Sequence, residues 1–415
     1  MKNLIPFLSL LFLLGCNSKV KTPQEKKKTV EPVDKIEYPQ IINIGKDFKN
    51  SKELRLSEIA DDIEYIKLEK TPESLVGGGN PGWYVTSEYI FVYSQNKLLQ
   101  FDRLGKFIKQ FGRNGRGPGE FQSMKGMVAD ESKNILYVIA NFKHVVLMYD
   151  LITGEFLGNF PVNDYLGAAI MNRPIQMLGK DTFIVLTHPF AKFKPDYSIF
   201  EIIDNKGNVL NKRKSSLFSF QADKNVRRIP NGNNQIWFFN NQFRFYEGLN
   251  DTVYNFKDFK LEPVYIFDLG KYKGPFEEMT TKFFKEIPGY ILLVSFWETQ
   301  KYLLFGFLYN GKSQRGFYDK TEGKFYRLTP AEDIQEGIIN DIDGGLSFWP
   351  SHSVEHSDRE WIYWFDAIEL KQKLTEEYLG ISEAKYLGKK ENLKRFMKGL
   401  LVDDNPIIFE VKLKE

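Results

Sequence analysis

Two arginines in a glycine-rich run are the first residues of this sequence whose types and spacing could bind a ligand. Arg113 and Arg116 lie in residues 112–119, GRNGRGPG. Glycines permit sharp turns, and guanidinium groups bind carboxylates and acidic sugars. The run lacks the Gly-Lys-Ser/Thr ending of a phosphate-binding P-loop, and no helical pattern follows it. It is therefore interpreted either as a plain connection between strands or as part of a site for an anionic ligand.

Two aspartates and two histidines near the C-terminal end are the next candidates. Asp341 and Asp343 precede a Gly-Gly pair and resemble part of a calcium loop, but the further oxygen ligands of such a loop are absent, and a turn held by Asx hydrogen bonds is the alternative. His352 and His356 are four residues apart, the spacing of zinc ligands on a helix. Pro350 favours a loop there instead. We predict no metal site, with these histidines as the weak candidates for one.

Nucleophilic catalysis has no support in the sequence. No Gly-x-Ser-x-Gly elbow occurs, and the single cysteine, Cys16, ends an apolar N-terminal run directly after Gly15. That pattern is typical of a bacterial lipoprotein signal, in which the thiol receives lipid; a secretory signal with a chance cysteine is the alternative. We predict a signal peptide over residues 1–15, lipid on Cys16, no catalytic residue and no cofactor.

The charge of the chain is unevenly distributed. The whole chain has a net charge of +3, but residues 1–28 alone carry +5. The rest of the chain therefore carries −2. A near-neutral body lacks the clustered Lys and Arg that nucleic-acid binding requires. Residues 16–38 are polar, contain two prolines and show no apolar period, which predicts a lipidated flexible tether ahead of a domain over residues 39–415.

Short strand-like runs, divided by Asp and Gly turns, must position these candidate residues. Asp supports a tight hairpin by bonding its own backbone, and Gly accepts a positive φ. The runs recur in groups of three or four, each group marked by a strand-ending aspartate: Asp102, Asp150, Asp204, Asp319 and Asp366. A period of about fifty residues predicts propeller blades, six in all, whereas a β-sandwich explains the short strands but not the longer period.

The C-terminal end departs from this rhythm. Apolar residues at helical spacing predict a helical insertion at about residues 367–400, and a final strand follows at residues 407–413. A ring must join its last blade to its first, so we predict that this terminal strand and residues 63–68 close it. The fold class is therefore all-β, a six-bladed β-propeller. Four late tryptophans could stack on sugars, but strand alternation favours packing between blades: Trp297, Trp349, Trp361 and Trp364.

Several segments together resemble the bacterial six-bladed β-propeller lipoproteins, relatives in architecture of NHL-repeat propellers. The segments are residues 97–121 (KLLQFDRLGKFIKQFGRNGRGPGEF), 250–254 (NDTVY), 263–270 (PVYIFDLG), 340–345 (NDIDGG) with 348–350 (FWP), and 404–406 (DNP). The resemblance implies a ring anchored in the cell envelope. It implies no catalytic residue, because propellers host unrelated functions.

The sequence favours a non-catalytic envelope lipoprotein whose propeller binds a ligand or a partner protein at one mouth of the ring. The alternative is a glycan-directed hydrolase or lyase with acidic residues at the channel mouth, so the question of an enzyme stays open. The expected partners are the membrane, through lipid on Cys16, and an envelope protein or a small-molecule or glycan ligand, with no nucleic acid. The expected location is the outer membrane of a bacterial envelope, on the periplasmic face rather than the cell surface.

Overall fold

Six sheets follow one another along the chain and form the blades of a ring. The structure, a computed structural model, describes residues 38–77, 79, 81–140, 143–163, 175–186, 198–215, 234–257, 259–329 and 337–414. The leader, Cys16 and the tether up to residue 37 lie outside the described residues.

The described chain begins with a segment of short elements that we call the N-terminal strap, residues 40–67. Its elements are β1 (Gln40–Ile42), α1 (Ile44–Asp47), β2 (Ser51–Lys52), α2 (Leu56–Ile59) and β3 (Ala60–Lys67).

Blades 1 to 3 each consist of four consecutive antiparallel strands, numbered here from the innermost strand outwards. Blade 1 contains β4 (Gly82–Val85), β5 (Tyr89–Ser94), β6 (Lys97–Asp102) and β7 (Phe107–Phe111). Blade 2 contains β8 (Met124–Asp130), β9 (Ile135–Ala140), β10 (Val145–Asp150) and β11 (Phe156–Pro161). Blade 3 contains β12 (Ile175–Gly179), β13 (Thr182–Leu186), β14 (Ser198–Asp204) and β15 (Val209–Lys214).

Blades 4 and 5 have the same four-stranded core. Blade 4 contains β16 (Gln235–Phe239), β17 (Gln242–Tyr246), β18 (Thr252–Lys257) and β19 (Lys260–Phe267). Helix α3 (Phe276–Thr281) lies in the connection to the next blade. Blade 5 contains β20 (Ile291–Glu298), β21 (Tyr302–Tyr309), β22 (Lys312–Asp319) and β23 (Lys324–Leu328).

Blade 6 combines both ends of the described chain. Its strands are β24 (His352–Ser353), β25 (Glu360–Phe365), β26 (Ile407–Leu413) and, outermost, β3 of the N-terminal strap. Strand β26 pairs antiparallel with β3, with Ile408 opposite Ile66. The prediction that the terminal strand and the N-terminal strand close the ring is therefore confirmed.

The N-terminal strap runs along the outer edge of half the ring. Before β3 completes blade 6, β1 pairs parallel with β19 of blade 4 and β2 pairs parallel with β23 of blade 5. The strap thus covers the outer edges of two blades, which would otherwise present unpaired backbone groups.

The helical insertion lies between β25 and β26, as predicted. It contains α4 (Ala367–Lys373), α5 (Glu376–Ile381) and α6 (Leu387–Gly399). Its apolar residues, Leu370, Leu379, Leu393 and Met397 among them, pack into the hydrophobic core of blade 6.

The two faces of the ring are unequal. On one face, which we call the turn face, the first strand of each blade joins the second, and in blades 1 to 5 the third joins the fourth, through at most six residues. On the opposite face, the loop face, the chain passes from the second strand to the third and from blade to blade. The helical insertion and α3 both lie on the loop face, because strands alternate in direction and fix where each connection must lie.

Aspartates end the third strands of four blades and form the expected hairpins. The carboxylates of Asp102, Asp150, Asp204 and Asp319 each accept hydrogen bonds from backbone N–H groups two to four residues later. The interpretation of Asp366 as a further strand-ending aspartate of this kind is wrong. Asp366 follows the second strand of blade 6 and precedes α4, because the insertion displaces the third strand of that blade to β26.

Aromatic side chains join neighbouring blades throughout the ring, and their contacts supply large buried apolar areas. Ring centroids lie 5.9 Å apart for Phe111–Tyr149, 4.7 Å for Tyr137–Phe183, 5.2 Å for Phe200–Phe245, 5.5 Å for Phe267–Phe296, 6.2 Å for Trp297–Trp361 and 5.6 Å for Trp83–Trp364. Trp349 is buried as well. The packing role predicted for the late tryptophans is confirmed.

Candidate functional site

The glycine-rich loop lies on the loop face between blades 1 and 2. Tyr149 donates its hydroxyl to the carbonyl of Gly119 at 2.7 Å, and the Lys143 ammonium donates to the carbonyl of Gly117 at 2.9 Å. Gly119 has a φ of +66°, and a side chain there would meet the ring of Phe156. The loop therefore presents carbonyl oxygens to a cation, which is the opposite of the N–H groups that a phosphate cradle requires.

Arg113 and Arg116 are both exposed on this loop. The backbone of Arg113 is fixed, since its carbonyl accepts the N–H of Phe121 at 3.0 Å. Within the part of the chain that the structure describes, neither guanidinium forms an ion pair. Binding of an anion by this pair stays a prediction.

Asp341 and Asp343 face donors of the protein itself. The Asp341 carboxylate accepts the backbone N–H and the hydroxyl of Ser57, at 2.8 and 2.7 Å. The Asp343 carboxylate accepts the hydroxyl of Tyr65 at 2.8 Å and the N–H of Gly345 at 2.9 Å. Burial raises the pKa of Asp343, and these hydrogen bonds oppose that shift. Both carboxylates therefore tie residues 340–345 to the N-terminal strap.

The backbone of the same segment also holds the helical insertion. The carbonyl of Asp341 accepts the N–H of Lys385 at 2.7 Å, and that of Ile342 accepts the N–H of Tyr386 at 3.1 Å. Asp341 and Asp343 thus position the insertion relative to blade 6. Ligand binding by their carboxylates stays a prediction.

The two histidines have different surroundings. His352 lies in β24, with its Nδ1 2.9 Å from the hydroxyl of Ser351. His356 lies in the connection between β24 and β25, with Nε2 3.1 Å from the carbonyl of Met177 in blade 3. Within the described parts of the chain, no group of three or more His, Cys, Asp or Glu side chains is arranged to hold a metal ion.

The connection that carries His356, residues 354–359, is named the crossing loop here. The His356 ring packs against Phe238 of blade 4, with centroids 5.5 Å apart, and the Asp358 carboxylate accepts the N–H of Asn240 at 2.7 Å. Because blade 6 stands opposite blade 3 in a six-membered ring, the crossing loop spans the central channel at the turn face.

A buried carboxylate contacts side chains of both blade 4 and blade 5. The Glu298 side chain has no exposed surface and accepts bonds from four donors. These are Arg244 Nε at 3.2 Å, Trp237 Nε1 at 3.3 Å, the Tyr265 hydroxyl at 2.6 Å and Lys320 Nζ at 2.9 Å. We call this the Glu298 cluster.

The surroundings of Glu298 favour the charged form of its carboxylate. Burial pushes the pKa of Glu298 upwards, but Lys320 and Arg244 outweigh it, so the net shift is downwards. Burial lowers the pKa of Lys320 despite its carboxylate partner. Because the cluster is closed to solvent, it joins two blades rather than presenting a reactive group to a substrate.

A second buried acid lies at the seam where blade 6 meets blade 1. The guanidinium of Arg103, in the turn after β6, donates to the Glu410 carboxylate of β26 at 2.5 Å and lies 3.5 Å from Glu360. Burial raises the pKa of Glu410. Asn405 adds to this seam by accepting the N–H of Val76 at 2.9 Å.

The helical insertion carries a groove of about 640 Å³ on the loop face. Buried apolar side chains form its floor: Leu374, Leu379 and Met397. Its charged lining residues are three lysines and one acid: Lys371, Lys394, Lys398 and Glu376. Helix α6 has five basic residues and one acidic residue, a net charge of +4. Leu401 is 60% exposed, and the carbonyl of its neighbour Leu400 accepts a hydrogen bond from the ammonium of the groove residue Lys371 at 2.7 Å. A basic rim around an apolar floor is suited to an acidic, amphipathic partner segment.

Sequence reasoning did not find the crossing loop, the Glu298 cluster or this groove. The members of the Glu298 cluster are spread over residues 237–320 on five different strands or turns, so no local spacing indicates them. The lysine-rich helix α6 was a usable signal for the groove, since its basic residues can be read from the sequence.

Fold and site together define a six-bladed β-propeller with one closed, short-turned face and one face of long connections. The chain belongs to the DUF4934 family, a domain of unknown function, whose family model matches residues 39–412. No curated protein matches the sequence.

Solved structures similar to this chain include two Bacteroides proteins. A Bacteroides fragilis protein that its name describes as exported is 16% identical, with a TM-score of 0.63, over 90% of this chain and 99% of its own. A member of the DUF4221 family from Bacteroides vulgatus is 12% identical, with a TM-score of 0.45, over 67% of this chain and 86% of its own. The six sheets of the structure confirm the predicted six-bladed architecture. No helix among the described residues combines the length and apolar character needed to cross a membrane.

Proposed function

We propose that this protein is a lipid-anchored envelope protein whose propeller binds a partner protein, without catalysis, through the groove of the helical insertion on the loop face. The partner segment is amphipathic and acidic, so that apolar side chains fill the groove and carboxylates meet its lysines. The observation that carries the proposal is the groove itself, with buried Leu374, Leu379 and Met397 beneath a rim of lysines.

The inequality of the two faces supports the choice of the loop face. On the turn face, the crossing loop spans the channel and short turns leave little room for specific recognition. On the loop face, residues 340–345 bind the insertion through backbone hydrogen bonds and fix its groove relative to the ring. A groove on a fixed element loses less conformational entropy when it binds a partner.

The sequence supports export and anchoring. An apolar run ending at Gly15-Cys16 is typical of lipoprotein signals, and the name of the Bacteroides fragilis relative describes export. The outer membrane, on its periplasmic face, is the proposed location. Cys16→Ser should move the protein from the membrane fraction to the soluble periplasmic fraction, whereas the neighbouring Asn17→Ser should leave it membrane-bound. Membrane retention of Cys16→Ser would contradict lipid anchoring.

Site-specific photo-crosslinking in intact cells tests the binding surface. A crosslinker at Leu401 should give one discrete crosslinked species, and a crosslinker at Leu104, which is 87% exposed on the turn face, should not give it. Charge reversal of the rim, Lys394→Glu with Lys398→Glu, should abolish the species. Equal crosslinking from both faces, or a species that survives charge reversal, would contradict the proposal.

A further inference from the structure

The turns between the third and fourth strands share one hydrogen-bond pattern at the turn face. In blades 1, 2, 3 and 5, the second residue after the strand-ending aspartate donates its backbone N–H to that aspartate at 2.9 Å: Leu104, Ile152, Lys206 and Thr321. This bond holds the backbone of the turn and makes no demand on the side chain. The type of side chain at this position therefore reflects the surroundings of the turn face rather than the needs of the hairpin.

Large apolar side chains lie exposed in three of these turns. Leu104 is 87% exposed in blade 1, and Ile152 is 61% exposed at the same position of blade 2. In blade 4, residues 258–259 alone join the third strand to the fourth, and Phe259 is 52% exposed. Single exposed apolar residues are ordinary on protein surfaces. Their repetition in the same turn of several blades, on one face of the ring, indicates a contact surface.

The backbone of Phe259 shows that this residue does not serve the fold. Its φ is +61°, in the left-handed region that a bulky side chain rarely adopts. The other turn of the same blade uses asparagines, Asn240 and Asn241, at a φ of +50° and +57°. The Phe259 ring contacts that of Phe256, with centroids 6.4 Å apart, yet half of its side chain is exposed. Strain of this kind is typical of functional positions.

Exposed lysines lie in these turns or directly beside them: Lys106, Lys206, Lys257 and Lys260. Among the residues that the structure describes, none of the four forms an ion pair. The acids of the turns are Glu155, Asp258 and Glu322, of which Glu322 already pairs with Lys52 at 2.9 Å. Apolar side chains with lysines at their base suit a bilayer interface, where the apolar groups enter the acyl region and the ammonium groups meet lipid phosphates.

We infer that the turn face rests on the surface of a lipid bilayer, with Leu104, Ile152 and Phe259 inserted at the interface and the lysines beside lipid phosphates. The inference rests on the anchoring proposed above, because residues 16–37 span at most about 75 Å and so keep the ring near the bilayer. Separate apolar tips can each enter a fluid bilayer, whereas a protein partner requires a continuous complementary surface. The loop face, with the groove of the helical insertion, then points away from the membrane.

Fluorescence quenching by doxyl-labelled lipid tests this contact at single residues. The mature chain carries Cys16→Ser, so that an introduced cysteine is its only thiol. An N-terminal hexahistidine tag attaches it to vesicles of phosphatidylcholine, phosphatidylglycerol and nickel-chelating lipid. Nitrobenzoxadiazole at Leu104→Cys or Ile152→Cys should be quenched roughly twofold, and the same dye at Ile381→Cys or Leu401→Cys, on the helical insertion, should not. Equal quenching on both faces, or none at the turn face, would overturn the inference. This attachment does not use lipid on Cys16, so such a failure leaves the proposed lipidation and groove unaffected.

Variants show whether the apolar tips cause the contact, with the dye at Lys206→Cys in blade 3 as the reporter. The turn-face variant combines Leu104→Ser, Ile152→Ser and Phe259→Asn, and quenching at the reporter should fall to background. Because these side chains are exposed, the urea midpoint should stay at that of the native chain. The control combines three exposed residues of the helical insertion: Ile381→Ser, Leu387→Ser and Leu401→Ser. It should leave the quenching unchanged. Retained quenching in the turn-face variant, or equal losses in both variants, would overturn the inference.

Discussion

Replacement of Glu298 by Gln is the sharpest test of how blades 4 and 5 are joined. The carboxylate accepts hydrogen bonds from four donor side chains, those of Arg244, Trp237, Tyr265 and Lys320. Gln offers one acceptor oxygen and places an NH₂ group among these donors. The substitution therefore removes the only negative charge of the cluster and leaves two cations buried.

The expected loss follows from the burial. Breaking a buried ion pair by removing one partner costs about 3–5 kcal/mol, because the remaining charge is left uncompensated. With two cations facing one carboxylate, we expect Glu298→Gln to lower the free energy of unfolding by about 4 kcal/mol.

Urea unfolding followed by tryptophan fluorescence measures this loss. The midpoint should fall while the slope with urea concentration stays unchanged, since the surface exposed on unfolding is the same. Glu322→Gln is the matched control on the same blade. It breaks the exposed pair of Lys52 and Glu322, 2.9 Å apart, and should leave the midpoint unchanged within error. A loss below about 1 kcal/mol for Glu298→Gln would refute the reasoning.

The pH dependence gives a second check. The folded-state pKa of Lys320 lies below its ordinary value, and loss of the carboxylate should lower it further. Unfolded chains then bind more protons than folded ones over that range, so the stability of Glu298→Gln should rise with pH. The deficit against the native protein should be smaller at pH 9 than at pH 7, and a constant deficit would contradict this account of Lys320.

Three further perturbations address ring closure and the insertion. Arg103→Met should lower the free energy of unfolding by about 3 kcal/mol, because it leaves Glu410, whose pKa is already raised by burial, without its cation. Since the folded state then binds more protons than the unfolded state, the loss of stability should be larger at pH 8 than at pH 5.5. An equal loss would contradict the pairing of Arg103 with Glu410. Deletion of residues 405–415 removes β26 and should abolish cooperative thermal unfolding, whereas removal of residues 414–415 should not; a full deletion that melts like the intact chain would exclude closure by this strand. Asp343→Asn places an NH₂ group among hydrogen-bond donors and should lower the free energy of unfolding by roughly 1–3 kcal/mol. The helical insertion should be cleaved by protease earlier than in the native chain. Unchanged proteolysis would show that Asp343 does not position the insertion.

Features of the fold that rest on local patterns could be predicted from the sequence. Hairpin aspartates such as Asp102 act within four residues of themselves, and the terminal strand of residues 407–413 stands out by its apolar run after a helical segment. The count of six blades followed from the period of these markers.

The parallel pairing of the short strap strands and the contacts of the crossing loop could not be predicted. Strands β1 and β2 have three and two residues, too few for a periodic signal, and their parallel partners lie more than two hundred positions away. The spacing of His356 from His352 suggested a weak candidate for a metal site, but His356 contacts blades 3 and 4 on the far side of the ring. The polar residues of the candidate sites reach their partners only through this distant pairing.

The N-terminal strap sets the order in which the molecule can be completed during synthesis and export. Its residues leave the ribosome before those of blades 1 to 5, yet β3 acquires its partner β26 only when the last strand has emerged, as the pairing of Ile66 with Ile408 requires. Blades 1 to 3 form from segments that are neighbours in the sequence, whereas blade 6 requires pairing of Ile66 with Ile408, which closes a loop over most of the chain. Such topology slows folding. The same closure makes the finished ring resistant to unfolding, because neither end can be released without opening blade 6. A long delay before completion and a long native lifetime are thus two results of one strand pairing.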